Sequence, residues 1–205
     1  MNPEQTIFVV DDDPAVARAL VSAGKLLGLP VVAFASALEF LNTNSRSQPG
    51  CLVLDIKMPG MTGLELQQTL TKDGNQLPII MISGHADVGI AVEAMSHGAV
   101  SLLEKPFRLD ELVGQIRRAL EKDTARRTAE ARRTEIERLL AQVTPKEHEV
   151  LDLLVSGKTN KQIATDLHLS IRAVEDRRAR LMKKMQVNSV AELVLLASRF
   201  GLVEA

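Results

Sequence analysis

Cys51-Leu52-Val53-Leu54-Asp55-Ile56-Lys57-Met58-Pro59-Gly60 decides how the first half of the chain is read. Four apolar residues in a row suit a strand buried on both faces, and the run ends in an acid before a Pro-Gly turn. Three other runs share this form. Ile7-Phe8-Val9-Val10 ends in Asp11-Asp12-Asp13, and Ile79-Ile80-Met81-Ile82 ends in Ser83. Val100-Ser101-Leu102-Leu103-Glu104 ends in Lys105-Pro106. In parallel strands these ends meet at one edge, gathering carboxylates, a hydroxyl and an amine. Carboxylates suit a hard divalent cation. A cation, an ammonium and a hydroxyl together suit a phosphoryl group on a nucleophilic carboxylate.

Between these runs the chain reads as helix. Pro14 suits a first helical turn with Asp13 as its cap, and Val16, Leu20 and Leu27 keep one apolar face up to Gly28. Val31 to Ala35 reads as a strand, and Ser36 with Glu39 forms a capping box for Ala37 to Asn42. Pro59-Gly60 and Thr62-Gly63 mark a loop before a helix over Leu64 to Lys72. Asp87 can cap Val88 to His97, and Leu109 opens a helix with Leu112, Ile116 and Leu120 on one stripe. Five strands alternating with five helices predict an α/β doubly wound, five-stranded parallel sheet. Ligands of such sheets bind beyond the carboxyl ends of the strands.

Composition bounds the rest. At 205 residues with 45% apolar content, two small domains are expected. No run approaches a membrane span, and the start lacks the pattern of a signal peptide, so a cytoplasmic protein is expected. The lone Cys51 reads as a small core residue, and it excludes an intramolecular disulfide. With no Trp or Tyr, aromatic stacking cannot dominate a binding surface. The net charge of −1 hides an asymmetry: 9 basic against 13 acidic residues over 1–120, but 10 against 8 over 144–205.

The marks Asp11-Asp12, Asp55 to Gly60, Ser83-Gly84-His85 and Lys105-Pro106-Phe107 occur in order, each at a strand end. Together they resemble the receiver domain of bacterial two-component response regulators over roughly residues 5–122. The resemblance implies that Asp55 is the phosphoacceptor. It implies that Asp12 binds Mg²⁺ directly and Asp11 through water, with Asp55 and the Lys57 carbonyl as further ligands. Ser83 would hydrogen-bond a phosphoryl oxygen, Lys105 would supply the counter-charge, and the Lys105–Pro106 bond would be cis. Response regulators usually carry Phe or Tyr three residues before the lysine. This chain has Leu102, so the aromatic part of the usual switch is absent. His85 reads as a solvated loop residue.

From Glu121 to Arg138 the chain is charged and lacks Gly and Pro. It reads as a solvated helix continuing from the preceding one, with Arg126, Arg127, Arg132 and Arg133 balanced by interleaved acids. Thr144-Pro145-Lys146-Glu147 then combines an N-cap, a first-turn proline and a reciprocal acid. Val150, Leu151 and Leu154 give a core face. Thr159 caps a short helix, His168-Leu169-Ser170 turns into a longer one over Ile171 to Met185, and Ser189 caps a last one. Two short helices joined by a tight turn form a helix-turn-helix.

Residues 144–200 resemble the LuxR-type four-helix DNA-binding domain of the NarL/FixJ response regulators, the FixJ-like subgroup in particular. The marks are Thr144 to Glu147, Glu149-Val150-Leu151, Asn160 to Ala164, Leu169-Ser170, Val174-Glu175 and Leu181 to Met185. The helix Ile171 to Met185 should enter the major groove. Val174, Leu181 and Met185 cluster as core, opposite Arg172, Asp176, Ala179 and Lys183, with Glu175 and Arg180 flanking. Lys158, Asn160 and Lys161 can reach phosphate. An acid facing phosphates leaves two readings of Asp176. It pairs with Arg172 and Arg180, four residues away on either side, or it accepts from a cytosine amine. The two visible arginines favour pairing.

The expected domains are therefore a receiver over 1–122, a helical linker over 123–142 and a helix-turn-helix domain over 143–205. The resemblance implies a transcriptional regulator and not an enzyme. Its partners would be a sensor histidine kinase, promoter DNA and RNA polymerase, with a homodimer formed on phosphorylation or on DNA. Two rival classes fit the residues less well. Aspartate-nucleophile phosphatases of the haloacid dehalogenase type carry Asp-x-Asp-x-Thr or -Val in the first strand, and Asp11-Asp12-Asp13-Pro14-Ala15 fails at its fifth position. A phosphate-independent DNA-binding or protein-interaction module is favoured only by Leu102 and Asp176.

Overall fold

The computed structural model describes residues 5–43, 48–84 and 88–200, with side chains through Ala197. It divides into two compact units, Met1–Arg127 and Thr128–Ala205. The first holds strands β1 (Thr6–Val10), β2 (Val31–Phe34), β3 (Gly50–Asp55), β4 (Ile79–Ser83) and β5 (Ser101–Glu104). Its helices are α1 (Pro14–Leu27), α2 (Ala37–Leu41), α3 (Gly63–Lys72), α4 (Val88–Ser96) and the start of α5 (Leu109–Leu140). All strand pairs are parallel, in the order β2-β1-β3-β4-β5.

β1, β3 and β4 are buried along their whole length, which is why they read as unbroken apolar runs. Their residues alternate between two cores. Ile7, Val9, Cys51, Val53, Ile80 and Ile82 pack with Leu20 of α1 and with Leu112 and Ile116 of α5. Phe8, Val10, Leu52, Leu54 and Met81 pack on the other face with Phe40, Leu66, Leu70 and Ala94. The strand order reverses direction between β1 and β3, so the chain leaves a crevice beyond their carboxyl ends.

Local signals explain the helix ends. The Asp13 carboxylate accepts from the Ala15 N–H at 2.7 Å, and Gly28 closes α1 at φ 67°. The Asp87 cap expected for α4 lies outside the described residues. The Thr62-Gly63 loop needs correction. Thr62 is the N-cap of α3, in a reciprocal capping box with Glu65, and Gly63 is its first residue. A Cβ at Gly63 would collide with the Asp55 carbonyl oxygen, so the glycine serves a close approach of backbones.

The solvated-helix reading of 121–138 also changes at its start. α5 is continuous, but the Asp123 side chain is fully buried. It accepts from the Gly50 N–H at 3.0 Å, from Arg126 Nη2 at 2.6 Å and from Arg127 Nε at 2.9 Å. Arg127 also donates to the Gln48 carbonyl at 2.7 Å. This network ties α5 to the amino-terminal end of β3, and the first unit accordingly runs to Arg127. Beside it, burial and the Asp123 charge push the Cys51 thiol up to about 12.

The second unit contains α6 (Pro145–Val155), α7 (Asn160–Asp166), α8 (Ile171–Lys184) and α9 (Val190–Phe200). Leu139, Val143, Val150, Leu151, Leu154, Ile163, Val174, Leu181 and Leu193 form its core. Glu147 is buried, and it receives the Thr144 N–H at 2.9 Å and Lys184 Nζ at 2.6 Å, joining α6 to α8. Burial works against its charge, but these hydrogen bonds win and hold its carboxyl down at about 2. His168 and Gln186 close α7 and α8 at φ 53° and 54°. No helix among the described residues is long and apolar enough to cross a membrane.

Candidate functional site

The strand-end crevice gathers the expected groups. Asp11 follows β1, Asp55 ends β3 and Ser83 ends β4. All three are buried, whereas Asp12 is exposed. Asp11, Asp12 and Asp55 each present a carboxylate oxygen within 4.8 Å of the others. Lys105 reaches across from the end of β5. Its ammonium lies 2.8 Å from Asp11 Oδ2 and 3.1 Å from Asp55 Oδ1, and its N–H donates to the Ser83 carbonyl at 2.7 Å. The Lys105–Pro106 bond is cis. The Lys57 side chain is exposed.

Electrostatics point to a cation. Burial pushes the Asp55 carboxyl above its usual range, and the Lys105 ammonium only partly offsets this while Asp11 and Asp12 add to it. Burial also opposes the Lys105 charge, but its bonds to Asp11 and Asp55 hold its proton more firmly. One ammonium cannot balance three carboxylates. Asp11 already uses Oδ1 for the Asp13 N–H and Oδ2 for Lys105. Exposed Asp12 and the edge of Asp55 therefore offer open oxygens, a donor set that suits a small hard cation keeping several of its waters.

The second candidate surface lies on α8. Arg172, Glu175, Asp176, Ala179, Arg180 and Lys183 are all exposed, opposite buried Val174 and Leu181. The expected pairing of Asp176 is not there. Among the described residues no ion pair joins it to Arg172 or Arg180. Three of the six cations on α8 face inward instead. Arg177 reaches Glu149 at 3.7 Å, Arg178 donates to Asn160 Oδ1 at 3.3 Å, and Lys184 binds Glu147. Lys158 is held by Asp166 at 2.6 Å, and Lys161 is exposed at the start of α7. The three ties of α8 join different helices, so sequence spacing gives no sign of them. Asp123 did leave a sign, since it extends the buried 112-116-119-120 stripe of α5 by three residues.

Comparison with known proteins matches this division. The response regulator receiver domain model matches residues 7–117, and that of the bacterial regulatory proteins of the luxR family matches residues 141–197. The chain belongs to the response regulators of the NarL/FixJ family. The response regulator protein TodT of Pseudomonas putida is 42% identical over 193 residues, covering 94% of this chain and 85% of TodT. The transcriptional regulatory protein FixJ of Bradyrhizobium diazoefficiens is 38% identical over 203 residues, 99% of each chain. The solved structure of the response regulator StyR superposes with a TM-score of 0.87 at 39% identity, over 96% of this chain and 99% of that one. This response regulator is thus a two-component transcription regulator with a DNA-binding helix-turn-helix, not an enzyme. Its domains imply a histidine kinase and promoter DNA as partners.

Proposed function

We propose that Asp55 takes a phosphoryl group from a histidine kinase and that this modification controls DNA binding by α8. The observation that carries it is the triangle of Asp55, the Asp11–Asp12 pair and Lys105 at one strand edge. An Asp55 carboxylate oxygen attacks the phosphorus of the donor phosphohistidine, the P–N bond breaks, and the imidazole leaves with the electron pair. Lys105 exchanges its bond to Asp55 for one to a phosphoryl oxygen, and the Ser83 hydroxyl donates to another. Asp12 would hold Mg²⁺ directly and Asp11 through water, with Asp55 and the Lys57 carbonyl completing the protein ligands. The ion supplies charge neutralisation for the phosphoryl oxygens.

The receiver, linker and helix-turn-helix divide at 122/123 and 142/143 in this reading, with the first linker residues, through Arg127, packed onto the receiver. Lys161, Arg172, Arg180 and Lys183 contact phosphates, with Lys158 joining when it exchanges Asp166 for the backbone and Asn160 lying beside them. Glu175, Asp176 and Ala179 face the groove. Half-buried Val190 and Val194 beside exposed Leu195 on α9 support a homodimer on DNA. RNA polymerase is a further partner, and the protein acts in the cytoplasm.

DNA affinity of the full chain, measured with and without acetyl phosphate and Mg²⁺, tests the reading. Phosphorylation biases an existing equilibrium, so affinity should rise with the donor. Equal affinity in both states would reject phosphate control.

A further inference from the structure

The outer stripe of α8 carries an acid at its middle. At about 100° per residue, Asp176 stands about 40° from Arg172 and about 20° from Lys183, with Ala179 on the same side. All four are exposed. Ala179 offers only a methyl group one turn beyond Asp176, so the helix can approach a groove floor closely there. Asp176 is then the acceptor that stands on this stripe between the two flanking cations, with Glu175 about 100° away around the helix.

A carboxylate in that position is repelled by phosphates. No ion pair of the described residues neutralises it: Arg177, Arg178 and Lys184 are turned to Glu149, Asn160 and Glu147, and Arg172 and Arg180 make no pair with it. It is compatible with a major groove only if it accepts a hydrogen bond there. Two exocyclic amines are available, cytosine N4 and adenine N6. Adenine N6 lies beside the N7 acceptor, which repels the second carboxylate oxygen. Its other neighbour is thymine O4, a second acceptor, whereas cytosine N4 has guanine O6 on one side only and the apolar C5–H on the other.

We infer that Asp176 is a specificity-determining residue that accepts from a cytosine amine. Each bound copy of the chain then requires a C·G pair at one fixed position of its site. This rests on the proposal that α8 enters the major groove.

The test uses the full chain with acetyl phosphate and Mg²⁺, and a duplex library randomised across the site. Wild type, Asp176→Ala and Asp176→Asn are each used to select bound sequences. Wild type should enrich a motif with one invariant cytosine, and exchanging that pair should weaken binding about 5- to 150-fold. Asp176→Ala should keep the flanking motif and become indifferent at that pair. Asp176→Asn should move the preference to adenine, because an amide both donates to N7 and accepts from N6. The switch to adenine separates base reading from simple charge removal. Retention of the cytosine by Asp176→Ala would overturn the inference, as would an equal gain in affinity for selected and random duplexes. Failure of phosphorylated wild type to enrich any motif would overturn the DNA-binding reading itself. Both variants should keep the wild-type circular dichroism, because the Asp176 side chain is exposed and makes no ion pair among the described residues.

Discussion

Asp55 and Asp176 are both carboxylates offered to a partner, but they are held in opposite ways. Asp55 is buried at the end of a strand, and its neighbours come from three other strand ends, as far away in sequence as Lys105. Asp176 stands exposed on one helix, with no ion pair to its neighbours among the described residues. In the crevice, tertiary structure fixes the chemistry and each group depends on the others. On α8 the backbone fixes the spacing, and each side chain contributes almost independently. Substitutions in the first region should therefore act steeply, and those on the second should act by small additive steps.

The largest effect tests the crevice. Asp55→Asn removes the nucleophile, so acyl-phosphate formation from acetyl phosphate should vanish, as read by intact-protein mass. A phosphorylated variant would place the acceptor elsewhere and weaken the contrast at its root.

Next is Asp123, a buried charge away from both functional surfaces. Asp123→Ala leaves Arg126, Arg127 and the Gly50 N–H without their shared acceptor. Removing one partner of such a network costs about 3–5 kcal/mol, visible in urea unfolding of the first unit. A loss below about 1 kcal/mol would mean that this stretch behaves as a solvated helix after all.

The third experiment asks whether the second unit has any coupled charge of its own. The Glu147 carboxyl is lowered from 4.5 to about 2 in the folded chain. Its stabilisation is therefore complete above pH about 4.5 and is lost as pH falls toward about 2, by at most about 3 kcal/mol. Glu147→Gln should lose that acid dependence, as measured by the difference from wild type in thermal unfolding across this range. Parallel pH profiles for the two proteins would show that the Glu147 charge, with its bonds to Thr144 and Lys184, adds nothing.

The smallest effect is local. His168 holds a left-handed backbone at the turn of the helix-turn-helix. His168→Gly should relieve it and raise stability by up to about 1 kcal/mol, checked by the urea midpoint. Destabilisation would mean that the imidazole has a contact that outweighs the strain.

What was legible in the sequence follows from the same contrast. The receiver strands are buried on both faces, so each appears as an unbroken apolar run, and the polar residue that ends a run marks the crevice. Caps at Asp13, Ser36 and Thr159 act within three residues, and they too were readable. Gly63 reads as a loop residue because its real constraint, the Asp55 carbonyl, becomes a neighbour only after folding. Asp123 reads as solvated because a buried acid in an apolar stripe looks like the end of the stripe. On α8 the exposed face was legible from periodicity. Which cations remain on it was not, because Glu149, Asn160 and Glu147 remove three of them through contacts between helices.

Cys51 gives the molecule a clock. Its thiol lies in the strand that ends at Asp55, fully buried and inert at neutral pH. When β3 is exposed, the thiol returns to its ordinary acidity near pKa ~8.5 and reacts with an alkylating reagent. As the sole cysteine, it gives one signal with nothing to deconvolute. Its labelling rate, divided by that of a free thiol, is the fraction of time that β3 spends open. The same reading taken with acetyl phosphate would show how firmly a phosphorylated Asp55 locks its own strand.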